Sequence, residues 1–426
     1  MFEQFQESLK DEEADRSMQI KLLYSLSTKL RDLTEIEKVC NLDGVATIAS
    51  VLNESNSQMR KYAVSVLAQL ALSLSGQISM MSDQVLPRVI EMLNDPMPNV
   101  ASAACYCLLK ISTLFIGVQT LVTHNITSIL AKLLFDPDSN LDMKTRCAAT
   151  LNQIYRFAPS TPKSPELMKY LHSQLKSPDK NYKLTVMQLL DQWGEELPQI
   201  PISAKVKTHM NALQAPINED DSTPCFETRI TGSTYLLSDL VTTPEFRLEL
   251  VEAGGVEAIL ENIKHDGNHH RLPRYSFSIL SIVADSNFGR KKILRYRIIE
   301  LALQWLTSDK DPLLIFSIAR FLEVCAQHKD TGAFLIECSG LSTVIKFLGA
   351  CHSSKQALLC VPTLGILRYL MIFFDSSIAE EIRGNEQTVL LLYELLSGNA
   401  EVDGDQSGNR KLRELSWSIL RMCCEQ

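Results

Sequence analysis

The sequence predicts an all-α solenoid, a fold in which short helical repeats stack along one axis, and three observations predict it. Apolar runs end at Leu52, Leu93, Leu134 and Leu175, at a constant spacing of 41 residues, and a fixed period of this length marks a repeat architecture. One helical turn earlier stand Ile48, Val89, Leu130 and Leu171, again apolar and in register. A turn-forming cluster follows each run: Asn53-Glu54-Ser55-Asn56, Asn94-Asp95-Pro96, Asp136-Pro137-Asp138 and Ser177-Pro178-Asp179. Asn, Asp and Ser side chains hydrogen-bond to nearby backbone and Pro cannot continue a helix, so each cluster ends one helix and opens the next.

A longer helix is predicted after each cluster. Its apolar stripe is Met59, Ala63, Leu67 and Leu70 in the first repeat, Val100, Ala104, Leu108 and Ile111 in the second, and Tyr182, Val186, Leu190 and Trp193 in the fourth. Steps of four, four and three residues keep these side chains on one helix face. The third repeat has a two-residue insertion before Cys147, Leu151 and Ile154 take the same places.

The runs Leu42-Asp43-Gly44-Val45-Ala46-Thr47-Ile48 and Glu252-Ala253-Gly254-Gly255-Val256-Glu257-Ala258-Ile259-Leu260, with the turn Glu337-Cys338-Ser339-Gly340-Leu341, resemble the signature of the armadillo family. The resemblance covers most of the chain. It implies an armadillo-type α-solenoid, a right-handed superhelix whose units have a short first helix, a second helix after a Gly-Gly turn, and a longer third helix. The first-half units lack Gly-Gly at several turns and also resemble HEAT repeats. The glycine is expected to supply the positive φ that a steep turn between two helices needs.

Between Gly194 and Thr228 the period fails, and Pro198, Pro201, Pro216, Pro224 and the acidic Glu219-Asp220-Asp221 appear. The segment is a linker or insertion, a self-peptide lying in the groove of the solenoid, or a hinge; Ser203 to Leu213 could form a lone helix within it. The expected organisation is an acidic N-terminal segment at 1–17, repeats at 18–193, a Pro-rich acidic linker or insertion at 194–228, and repeats at 229–426. Met18 to Lys38 is expected to cap the array. In the second half third helices are expected at Tyr275 to Ala284, Leu314 to Ala326 and Leu358 to Phe373, and a last unit at Thr388 to Leu396 and Leu412 to Cys424.

Of 426 residues, 45% are hydrophobic and 22% charged, which suits a soluble chain with ample core. The N-terminus lacks the apolar stretch of a signal peptide. The longest apolar run, Val361 to Phe374, is too short to span a membrane and contains Arg368. Eleven cysteines without a secretory signal read as reduced, mostly buried thiols of a cytoplasmic or nuclear protein. A net charge of -8 argues against a chain-wide hold on nucleic acid.

No phosphate loop, zinc-protease helix, Cys-x-x-Cys pair or nucleophile elbow occurs in the sequence, so neither catalysis nor a cofactor is expected. His265, His269 and His270 share a loop but lack a fourth zinc ligand. The run Asp403 to Gly408 with Glu414 at the twelfth place resembles an EF-hand calcium loop, although Arg410 stands where that family has an aliphatic residue. An exposed acidic loop between helices is the alternative.

In the armadillo family third helices line a concave groove, where an Asn one residue before the last core position grips an extended peptide. The matching positions here are Gln69, Lys110, Gln153 and Gln192, which can form a polar ladder. In the second half they are Ile282, Val324 and Tyr369, a character that suits an amphipathic helix or packing against neighbouring helices. Arg271, Arg274, Arg290, Lys291, Lys292, Arg295 and Arg297 form a basic cluster, either a solvated helix face or a seat for an acidic, phosphorylated or nucleic-acid partner. The expected function is a non-catalytic scaffold or adaptor that binds protein partners through the concave surface within a cytoskeletal, ciliary or nuclear assembly. A regulatory subunit that controls an enzyme is the alternative.

Overall fold

The structure, a computed structural model, describes residues 2–10, 15–30, 33–82, 84–195, 202–213, 234, 241, 244–265, 271–307, 311–353, 356–397 and 406–425. These are helices joined by turns, with no strand among the described residues. The protein is an all-α helical-repeat solenoid whose chain divides into two compact units, Met1–Trp193 and Gly194–Gln426.

In the first unit, three repeats have three helices each. They are Leu33–Asn41, Gly44–Ser50 and Ser57–Leu70; Leu74–Ser82, Val85–Glu91 and Pro98–Ile111; and Phe115–Thr123, Ile126–Phe135 and Leu141–Phe157. A fourth has only Pro165–Gln174 and Lys180–Gln192. Its first helix is missing because Pro159 and Pro162 interrupt the place it would occupy. The third helices pack side by side, each on the next. All the stripe residues read from the period are buried, with Ala63, Leu67, Ala104, Leu108, Cys147, Leu151, Val186 and Leu190 at 0% exposure. Each full burial of a Val or Leu side chain contributes about 1.5–3 kcal/mol, so the period records the layer that holds the repeats together. The turn clusters work as caps. Asn56, Asn140 and Asp179 accept backbone N–H groups at the starts of three third helices, and Asp95 accepts the amide of Met97 at 2.9 Å.

The N-terminus departs from a merely polar leader. Phe2–Lys10 is a helix that buries Phe2 and Phe5, and the Gln19 side chain donates to the Ser8 carbonyl at 2.7 Å. The expected single cap at 18–38 is two elements, Arg16–Lys29 and Leu33–Asn41, and the second is the first helix of the first repeat.

The second unit contains Pro244–Glu252, Gly255–His265 and Arg271–Val283; Asn287–Arg295, Ile298–Leu306 and Pro312–Ala326; Lys329–Glu337, Gly340–Ser353 and Ala357–Gly384; and Glu386–Ser397 with Gln406–Glu425. The 28-residue helix Ala357–Gly384 runs past the expected end at Phe373 into the place of the last repeat's first helix. Before these repeats Ala204–Leu213 buries Val206, Met210 and Leu213 in the same core. The acidic cluster at 219–221, Pro198, Pro201, Pro216, Pro224, His269 and His270 lie outside the described residues.

The first two helices of a repeat meet steeply, at 82° for Lys329–Glu337 and Gly340–Ser353. The turn residue is left-handed in six repeats: Asp43, Gln84, Asn125, Gly254, Arg297 and Ser339. Only one of them is glycine, which corrects the expectation that Gly supplies the positive φ. Gly44 and Gly340 stand one position later, where a Cβ would clash with Val39 and with the Leu335 carbonyl; their task is close approach. A second set of glycines joins one repeat to the next. At Gly76, Gly117 and Gly289 a Cβ would strike the carbonyls of Leu70, Ile111 and Val283, at the end of the preceding third helix. Thr331 fills this place in the next repeat, and its hydroxyl donates to the Cys325 carbonyl at 2.5 Å instead.

Among the described residues no single helix is long and apolar enough to cross a membrane. The bent pair Lys329–Glu337 and Gly340–Ser353 passes by composition, but its Leu335, Leu341, Val344 and Leu348 belong to the core of the second unit. The described cysteines are unbonded thiols, most of them buried.

Candidate partner-binding faces

In each unit the third helices form one layer, and the surface available for an elongated partner is the free side of that layer. In the first unit Gln69, Lys110, Gln153 and Gln192 all fall in or at the last turn of successive third helices, half-buried, and thus in one column. One turn earlier, Tyr106 has the Lys110 ammonium and the Arg146 guanidinium over its ring, each at 5.1 Å. Arg146 pairs with Asp142 at 2.8 Å and donates to the Ser102 carbonyl at 2.8 Å, and Ser102 donates to Asp142 at 3.2 Å. These bonds tie the second and third repeats together across the face. Tyr24 and Tyr62 meet edge to face at 5.3 Å at its N-terminal end.

In the second unit the corresponding Ile282, Val324 and Tyr369 are half-buried against the core. The basic cluster is dispersed. Arg274 lies on a third helix beside Tyr275, while Arg290, Lys291, Lys292 and Arg295 lie on the first helix Asn287–Arg295; the Arg271 side chain lies outside the described residues. Arg290 is a structural clamp rather than a surface cation. It is 3% exposed, its Nε pairs with Asp330 at 3.1 Å, and its Nη1 donates to the carbonyls of Ala284 and Asp285. Lys292 pairs with Glu257, whose carboxylate also accepts the Tyr296 hydroxyl at 3.0 Å. Arg297 occupies the left-handed turn position and pairs with Glu300. Lys291 and Arg295 remain exposed, the latter beside the Tyr296 ring.

The EF-hand resemblance does not hold. The helix Gln406–Glu425 takes in the proposed loop from its fourth position onward, so these residues follow a helical path and cannot wrap an ion. Asp403 and Asp405 lie outside the described residues, and among the described residues no group of three His, Cys, Asp or Glu could hold a metal.

A charge cluster that the periodicity did not reveal lies on the second unit's third helices. Glu323 is a buried carboxylate, 6% exposed, paired with Arg320 one turn before it. Burial raises its pKa above the ordinary value of 4.5, against the pull of Arg320, Lys411 and Arg368. Arg368 is on the next third helix and Lys411 on the one after. Across from Glu323 stands Gly365, where a Cβ would strike its carboxylate.

Residues 43–190 match a family model described as Cnd1, non-SMC mitotic condensation complex subunit 1. No curated protein matches. Two solved structures, both of engineered proteins, are similar to the chain. One is 17% identical over 99% of this chain and 98% of its own, with a TM-score of 0.41; the other is 16% identical over 66% and 96%, with a TM-score of 0.39. By its own helices the chain is a helical-repeat protein, and its residues 43–190 are similar to a family of condensation-complex subunits.

Proposed function

We propose that this protein is a non-catalytic scaffold subunit that binds protein partners along its third helices within a chromosomal complex. The observation that carries the reading is the match of residues 43–190 to a family described as a subunit of the mitotic condensation complex. The side-by-side third helices support it, since a solenoid offers a long, uniform surface to partners. In the first unit we assign the contact line to Gln69, Lys110, Gln153 and Gln192. Lys291 and Arg295 form a smaller candidate contact on the first-helix side of the second unit. This reading puts the protein in the nucleus, or in the cytoplasm when chromosomes are exposed to it. We also infer the armadillo subtype of repeat, on the three-helix units and their left-handed turns.

Affinity purification of the full chain from dividing and non-dividing cells tests this. The reading expects stoichiometric, chromosome-associated protein partners from dividing cells, weakened by joint substitution of Gln69, Lys110, Gln153 and Gln192 with Glu. Partners confined to cilia or cytoskeleton, or unaffected by that variant, would overturn it.

A further inference from the structure

We infer that the third-helix face of the second unit binds an acidic linear segment of a protein partner, whose carboxylates are held by Arg320, Arg368 and Lys411. The inference deepens the scaffold reading and rests on it. Three successive third helices, Pro312–Ala326, Ala357–Gly384 and Gln406–Glu425, each present one of these cations around a single carboxylate, Glu323. Gly365 clears the space in which that carboxylate lies, so it rests over the neighbouring helix instead of reaching solvent.

Among the described residues Glu323 takes only Arg320 as an ion-pair partner, and the Arg320 side chain is still 43% exposed. Arg368 and Lys411 make no ion pair with any described residue; the Arg368 guanidinium lies 5.9 Å from the Tyr369 ring, and Lys411 is exposed. The cluster therefore carries a surplus of two positive charges in a chain whose net charge is -8. Guanidinium groups fixed over a packed surface favour carboxylates in two-pronged, charge-assisted hydrogen bonds. One turn before Arg320 and Gly365 stand Phe316 and Val361, both half-buried, which give apolar side chains of the same segment a place to rest. The occupant is therefore a peptide that mixes acidic and apolar residues. A nucleic acid needs a longer row of phosphate contacts than three cations around a carboxylate supply.

Random-peptide phage display on the full chain, followed by fluorescence anisotropy with fluorescein-labelled copies of the selected peptides, tests the inference. Selected peptides are expected to carry Asp or Glu next to apolar residues. The triple variant Arg320→Glu, Arg368→Glu, Lys411→Glu should weaken them at least tenfold, and Lys132→Glu with Lys169→Glu, at exposed second-helix positions of the first unit, should leave them unchanged. Glu323→Gln, which removes the competing carboxylate, should tighten them several-fold. If the triple variant does not fold, Lys411→Glu alone, at an exposed position, must still weaken binding. Selection of no peptide or of non-acidic peptides, equal binding to the variants, or binding only of phosphopeptides or single-stranded oligonucleotides would overturn it. A purified partner bound along the first unit alone would refute this inference and spare the scaffold reading. A partner bound to neither third-helix face would refute both.

Discussion

The first unit and the second both join their repeats with a largely buried arginine and an aspartate, but the aspartate is buried in the first unit and partly exposed in the second. Arg60, on a third helix, makes two bonds to Asp95 in the next repeat, at 2.7 and 3.0 Å, and the Asp95 side chain is 3% exposed. In the second unit Arg290, on a first helix, is the buried partner at 4%, while Asp330 keeps 39% of its side-chain surface. Arg247 and Asp285 repeat that arrangement at 3.0 Å. Pairs with the same chemistry should therefore respond differently to loss of the arginine, because an unpaired charge is costly in proportion to the water it lacks.

The largest effect follows from that difference. Arg60→Ala strands a buried carboxylate and should destabilise the first unit by about 4 kcal/mol, whereas Arg290→Ala leaves a wetter Asp330 and should cost about 2 kcal/mol. Urea unfolding of each variant measures both, and equal losses would remove the distinction. Gly117→Val should cost about 3 kcal/mol, because its Cβ meets the Ile111 carbonyl and the Gln77 side chain. The counterpart Thr331→Gly in the second unit gives up one buried hydrogen bond, about 1 kcal/mol.

Acid separates the units further. For Asp95 burial works to raise the pKa, but the hydrogen bond from Arg60 and the Met97 amide outweigh it, and the value lies below the ordinary 3.8. The stability this lends is present above 3.8 and is lost as the pH falls through the lowered value. Stability of the first unit should therefore fall with pH below about 4, and Arg60→Ala should flatten that fall. Glu323 has the opposite sign. With its pKa raised, ionisation costs stability above the raised value, and the cost fades as the pH falls towards 4.5. The stability difference between Glu323→Gln and its parent should therefore shrink from pH 7 to pH 4.5 in urea titrations. The smallest expected effect is at a turn. Gln84 holds φ at 52° on an exposed site, so Gln84→Gly should stabilise the first unit by about 0.5–1 kcal/mol in thermal melts.

The repeat was legible because burial of Ile48, Val89, Leu130 and Leu171 imposes the same residue class at the same phase. The turns at Gln84, Asn125 and Arg297 were not, because these residues adopt the left-handed conformation without a following glycine and share no side-chain chemistry. Gly76 and Gly117 obey the 41-residue period and were a readable signal of close helix approach. The polar column of the first unit could be read from register with the stripe. Arg290 could not be placed from sequence, since a clamp and a surface cation look alike until Asp330 is seen beside it. Arg320, Arg368 and Lys411 share no period, because Ala357–Gly384 merges two helices, and only the packing of third helices brings them around Glu323.

The central claim, that partners lie along the third helices, is tested most directly by hydrogen–deuterium exchange on the full chain, alone and bound to its purified partner. The account predicts slowed exchange in Ser57–Leu70, Pro98–Ile111, Leu141–Phe157 and Lys180–Gln192, or in Pro312–Ala326, Ala357–Gly384 and Gln406–Glu425. Protection confined to first and second helices, such as Asn287–Arg295 and Ile298–Leu306, would contradict it.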